Sequence, residues 1–118
     1  MKIEKDKPPL KKRGEKSMAA YTISDIRNTL QAMPIDGRVR KLILFGSHAK
    51  GTARPQSDLD FYLDSNRQIT GFDYFALKAA LEDAFGRDID LLPDVDVQPG
   101  SKVASEITKY GVMVYAGQ

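Results

Sequence analysis

The sequence contains no cysteine. That excludes disulfide staples, thiolate nucleophiles and cysteine zinc sites, and it fits a cytoplasmic protein. Nowhere in the 118 residues does an apolar run approach the roughly 20 residues that a membrane-spanning helix needs. The charged start carries no apolar block followed by a small-residue cleavage site, so a secretion signal is not expected. There is one histidine, His48; a lone histidine is not a metal site, and it reads first as a solvent-exposed loop residue. What is present is ordinary: hydrophobic residues make up 42% and charged residues 29%, as in a soluble domain with a packed core. The length suits one small domain.

The net charge of +2 hides an asymmetry. Residues 1–17 carry seven Lys/Arg against Glu4, Asp6 and Glu15, a local charge of +4. The remainder holds eleven basic and thirteen acidic residues, a charge of −2. The tail contains Pro8-Pro9 and few apolar residues, so residues 1–17 are expected to be a disordered basic segment ahead of a domain spanning 18–118. It reads first as a solvated leader and second as a nucleic-acid arm. A slightly acidic domain behind such a tail is a poor candidate for dedicated nucleic-acid binding.

Thr22 or Ser24 can cap a first helix whose Ile23, Ile26, Leu30 and Met33 recur at helical spacing, ended by Pro34 and Gly37. Val39 to Phe45 reads as a buried strand because its apolar run is nearly continuous. Gly46 to Ser57 reads as loop, rich in Gly, Ser, Thr and Pro. Asp58 to Leu63 is a second strand, with Leu59, Phe61 and Leu63 on one face and Asp58, Asp60 and Tyr62 on the other. A helix from Gly71 through Phe85 closes at Gly86, and Asp88 to Leu92 is a third strand. Ser101 caps a last helix stopped by Gly111, and Val112 to Tyr115 adds a final strand. The expected class is α/β (α+β), a small mixed sheet flanked by helices.

The chemistry concentrates in Leu44-Phe45-Gly46-Ser47-His48-Ala49-Lys50-Gly51 and Ser57-Asp58-Leu59-Asp60. Residues i and i+2 of a strand share a face, so Asp58 and Asp60 project side by side. Two carboxylates at that separation repel, and each is driven towards protonation unless a cation sits between them. Their hard oxygens suit magnesium, which takes one or two carboxylates together with substrate phosphates. Gly46 permits close backbone approach, and the Ser47 hydroxyl adds a donor for phosphate oxygen. Lys50 and Arg54 are near enough in sequence to neutralise a triphosphate. Asp88-Ile89-Asp90-Leu91 repeats the alternation. If that strand lies beside the Asp58 strand, Asp88 or Asp90 completes the cluster, as ligand or as base for an attacking hydroxyl.

Gly46-Ser47, ten intervening residues, then Asp58-x-Asp60 resembles the signature of the polymerase-β-like nucleotidyltransferases. The context Phe45-Gly46-Ser47-x-Ala49-x-Gly51 followed by Ser57-Asp58-Leu59-Asp60 is similar to the minimal, stand-alone branch of that superfamily, the MNT domains. The likeness runs from about Thr22 to Tyr115. It implies the polymerase-β-like nucleotidyltransferase fold, with Gly46 and Ser47 on the β- and γ-phosphates of ATP. Asp58 and Asp60 would ligate two magnesium ions, with Asp90 the remaining ligand or base and Asp88 the less favoured choice. Where the family often carries Arg after Ala49, this chain has Lys50, which keeps the charge but loses bidentate recognition.

The resemblance further implies Mg-dependent transfer of AMP from ATP to a hydroxyl acceptor. In the family, the acceptor is a tyrosine of a HEPN-type toxin and the transferase acts as antitoxin. A domain this small has no room for an acceptor-binding domain of its own, so a partner is expected to supply it. The alternative is a non-catalytic nucleotide-binding module that neutralises a partner by complex formation. Three acids argue for chemistry, since pure binding does not need them. An apolar surface left over after packing leaves room for a homodimer or a heterocomplex.

Overall fold

The computed structural model describes residues 21–54 and 57–117. The expected basic tail over 1–17 and the domain start at 18 lie outside the described residues. Local sequence chemistry sets each element. Helix α1 (Ile23–Ala32) opens on a capping box, in which the Asp25 N–H donates to Thr22 Oγ1 at 3.0 Å and the Thr22 N–H donates to Asp25 Oδ2 at 3.3 Å. Ile26 and Leu30, four residues apart, are both fully buried. Strand β1 (Lys41–Phe45) follows, then a single helical turn α2 (Ser47–Lys50) and strand β2 (Leu59–Asp64).

Helix α3 (Gly71–Phe85) stops at Gly86, whose φ of 67° gives the left-handed cap that a glycine adopts without strain. Strand β3 (Ile89–Pro93) leads through a 3₁₀ turn (Asp94–Asp96) to helix α4 (Lys102–Tyr110) and strand β4 (Val112–Ala116). Ser101 caps α4, its hydroxyl accepting from the Ala104 N–H at 3.2 Å.

The four strands form one mixed sheet in the order β3-β2-β1-β4. β1 is antiparallel to β2 and β4, whereas β2 and β3 are parallel, joined by a crossover through α3. Leu42, Leu44, Leu59, Phe61, Leu63, Ile89 and Leu91 point to one face and pack against α1 and α3. The side chains between them, including Ile43, Asp60 and Tyr62, point to the other face, which α4 covers in part through Ile107. The layers are therefore α1 and α3, the sheet, and α4.

Differences from the expected elements are small, and some matter for the site. The strand expected from Val39 begins at Lys41, and the one expected from Asp58 begins at Leu59. The third strand starts at Ile89 rather than Asp88 and runs on to Pro93. The loop expected over 46–57 contains the α2 turn, which forms because Gly46 (φ 75°) and Gly51 (φ 76°) bracket four residues with conformations open to glycine.

Gly111 ends α4 where chain and sheet meet. A β-carbon there would collide with the Ile107 carbonyl and lie 2.6 Å from Ile43 Cγ2. Gly111→Ala is therefore expected to lower stability by about 1–3 kcal/mol, as overpacked positions do. Urea denaturation of the two proteins checks this, with a shifted midpoint and an unchanged slope.

Candidate active site

Parallel pairing places Leu59 opposite Ile89 and Asp60 opposite Asp90. The two aspartates stand on adjacent strands, on the same sheet face, near enough for the charge of Asp90 to act on Asp60. Burial first, then the negative charge and hydrogen bond of Asp90, then Asp58 and Glu106, push the Asp60 pKa up to about 7. Asp58 is exposed at the entry to β2, close enough for its charge to be felt at Asp60. Asp88 is exposed as well, but it sits before β3 and is not among the charges that act on Asp60. Of the two third-carboxylate candidates, the register thus sets Asp90 beside Asp60.

Gly46 lies across from this pair, because Phe45 is the β1 partner of Asp60. A β-carbon on Gly46 would fall on Asp60 Oδ2. The glycine is required on two counts, its φ of 75° and the carboxylate against its α-carbon. Ser47 follows as the first residue of α2. Lys50, at the other end of that turn, is held by Glu106 of α4 (Nζ to Oε2, 3.3 Å) and sits 5.2 Å from the centre of the Tyr110 ring. Arg54 is exposed; its main chain exchanges hydrogen bonds with Ser57 at 2.9 Å in both directions. Gly46, Asp58, Asp60 and Asp90 are therefore brought together, with Lys50 at the rim; Arg54 has no described contact with them.

One sequence expectation is corrected. His48, expected in solvent, is 7% exposed. It becomes buried because α2 folds back on the sheet and turns the ring toward Asp58, with Nδ1 3.2 Å from the Asp58 carbonyl oxygen. Burial first, then the nearby Arg87, hold the imidazole pKa below its ordinary value, so the ring is neutral. Arg87 is buried as well. It is 2% exposed, donates from Nη1 to the Ser57 carbonyl oxygen at 2.7 Å, and lies 4.9 Å from the Tyr21 ring centre.

Glu106 also escaped sequence reasoning. On a helix with a clear apolar stripe, a single acid looks like any solvated residue, and only the packing of α4 on the sheet turns it toward Lys50. Beyond Asp60 on the same face, a cleft of about 450 Å³ continues along β2, lined by Ile43, Tyr62, Asp64, Ala104, Ile107 and Met113.

Among the described residues, no three His, Cys, Asp or Glu side chains are gathered into a ready-made metal cage. The donor chemistry nonetheless fits a magnesium ion that arrives with a nucleotide. Magnesium takes one or two carboxylates and fills the rest of its octahedron with phosphate oxygens and water. Two carboxyl groups set side by side repel when both are ionised, and a divalent cation relieves that repulsion.

Known proteins supply the context. The family model for polymerase beta nucleotidyltransferases matches residues 24–118. A Methanocaldococcus jannaschii protein described as a candidate protein adenylyltransferase is 25% identical over 77 residues, 65% of this chain and 83% of its own length. Among solved structures, a chain from a toxin–antitoxin complex with AMP-PNP aligns at a TM-score of 0.61 and 20% identity, covering 78% of this chain and 74% of the other. A chain from the complex of a tri-AMPylated Shewanella oneidensis HEPN toxin with its MNT antitoxin aligns at 0.60 and 16% identity, covering 82% and 74%. At these identities the structural likeness speaks for the fold.

The raised pKa of Asp60 makes a stability prediction. Because the folded pKa of Asp60 lies above its unfolded value of 3.8, its ionisation works against the fold. The penalty is absent below pH 3.8, grows as pH rises, and is complete above about 7. Asp60→Asn is therefore expected to raise the melting temperature of the metal-free protein at pH 8, with the gain shrinking towards zero near pH 4. Thermal melts of both proteins across that range check the sign.

Proposed function

This chain belongs to the polymerase beta nucleotidyltransferase family, and we propose that it transfers AMP from ATP, with magnesium, to a hydroxyl on a partner protein. The observation that carries this reading is the pairing of Asp60 with Asp90 across adjacent strands, set against the bare α-carbon of Gly46. The pair gives a cation and an attacking hydroxyl somewhere to meet. The glycine lets a phosphate chain approach the same point.

Asp60 and Asp90, with Asp58 at the entry to the strand, would hold the magnesium. When bound, the metal neutralises phosphate charge and polarises the α-phosphate. Gly46 and the Ser47 hydroxyl receive the β- and γ-phosphates, and Lys50 exchanges Glu106 for triphosphate oxygens at the rim. Arg54 is the outermost of the proposed nucleotide contacts. In the transfer itself, the acceptor oxygen bonds to the α-phosphorus. The bond from that phosphorus to the α–β bridging oxygen breaks, and pyrophosphate leaves with the electron pair. Asp90 is placed to take the hydroxyl proton. Little else is needed, because phosphoryl-type transfer depends mainly on positioning and charge.

The acceptor we propose is a tyrosine of a HEPN-type toxin, with this chain acting as its antitoxin in the cytoplasm. Two findings support that role: the fold is shared with chains from toxin–antitoxin complexes, one holding AMP-PNP and another an AMPylated HEPN toxin. The Methanocaldococcus relative points to protein adenylylation. No helix among the described residues is long and apolar enough to cross a membrane.

Incubating the full chain with a co-expressed HEPN partner, magnesium and α-labelled ATP is expected to label a partner tyrosine. Asp60→Asn and Asp90→Asn are each expected to cut the labelling rate by about 10²–10⁴-fold. A stable complex without label would instead support neutralisation by binding alone.

A further inference from the structure

Asp58 lies one residue outside the sheet. The β2–β3 ladder begins at Leu59 and the β2–β1 ladder ends at Asp60. The strand pairing that orients Asp60 and Asp90 therefore stops short of it.

Two buried side chains hold that stretch instead. His48 approaches the Asp58 carbonyl oxygen at 3.2 Å through Nδ1. A carbonyl only accepts, so Nδ1 carries the proton and donates. Arg87 Nη1 donates to the preceding carbonyl, that of Ser57, at 2.7 Å, with its guanidinium braced on the Tyr21 ring. The two residues come from the segments that carry the other parts of the site. His48 follows Ser47 directly, and Arg87 stands three residues before Asp90.

Resting on the reading of Asp58 as part of the nucleotide site, we propose that His48 and Arg87 are positioning residues that grip consecutive carbonyls and aim the Asp58 carboxylate. Packing alone does not account for them. Apolar residues would fill the same space without the desolvation cost of an imidazole 7% exposed and a guanidinium 2% exposed. His48 Nε2 is buried with no hydrogen-bond partner among the described residues, an arrangement that costs free energy. The Nδ1 bond to Asp58 is what a histidine at this position provides.

The test reads binding, not turnover. Calorimetry on the full chain measures Mn²⁺-dependent binding of the α,β-methylene analogue of ATP, which cannot transfer AMP. His48→Leu is expected to weaken that binding by about 10–100-fold, the usual cost of losing a residue that orients a metal ligand. His48→Asn, whose amide nitrogen falls where Nδ1 stands, is expected to remain near wild type. His48→Gln, whose amide falls nearer the Nε2 position, is expected to behave like His48→Leu.

In an Asp58→Asn background, His48→Leu should cost nothing further, because it acts through Asp58. Losses that add in the double variant, or equal binding by the Asn and Gln variants, overturn the inference while leaving the nucleotide site standing. If His48→Leu fails to melt cooperatively, the Asn–Gln comparison decides alone. A wild-type chain that binds no Mn²⁺–nucleotide overturns the reading of the site, and this inference with it.

Discussion

One strand pairing determines the chemistry of this protein. In a sheet whose other neighbours are antiparallel, β2 and β3 run parallel, and their register sets Asp60 directly beside Asp90. Adjacent strands bring such residues side by side, with Asp60 partly buried and Asp90 exposed. Burial and the neighbouring charge of Asp90 make ionising Asp60 unfavourable, a conflict that a divalent cation could relieve. The rest of the fold maintains this conflict. Helix α3 makes the crossover that a parallel pair requires. The apolar residues alternating with the acids, Leu59, Phe61, Ile89 and Leu91, anchor both strands in the core.

The same alternation made much of the protein legible before any coordinates. Period-two patterning in β2 and β3 separates the core face from the acidic face without ambiguity. Caps and stops at Thr22, Gly86, Ser101 and Gly111 are local signals, and each stands where its side chain, its backbone freedom or, at Gly111, its missing β-carbon is used. Gly46 was legible as a close-approach glycine, although only the structure shows that Asp60 is what approaches it. The alternating pattern alone left Asp88 and Asp90 open, the resemblance favoured Asp90, and the parallel register, a tertiary property, sets Asp90 beside Asp60.

What escaped reading depended on long-range packing. A lone histidine in a Gly- and Ser-rich segment carries no sign of burial, and His48 is buried because α2 folds back on the sheet. An arginine beside two aspartates carries no sign of burial, yet Arg87 is buried against Tyr21, far away in sequence. Glu106 becomes a neighbour of Lys50 only through the docking of α4. In each case a polar residue obtained its role from a contact distant in sequence, where periodicity gives no information.

The site is thus assembled from three segments with different kinds of support. Asp60 and Asp90 are fixed by the sheet, Gly46 and Ser47 by a turn that glycine makes possible, and Asp58 by side chains from both neighbouring segments. Lys50 sits on a half-exposed side chain whose ion pair with Glu106 is of the weak, solvent-screened kind. In the proposed reaction, a triphosphate takes Lys50 from that pair at little cost.

The most direct test of the central claim is a carboxyl ¹³C NMR titration of Asp60 and Asp90, with and without Mg²⁺ and the α,β-methylene analogue of ATP. The account predicts that Asp60 titrates near pH 7 in the metal-free protein and that its titration moves well into the acid range when metal and nucleotide are added. An Asp60 that titrates near its ordinary 3.8 and is unmoved by Mg²⁺–nucleotide would contradict the claim that the two carboxylates form a cation site.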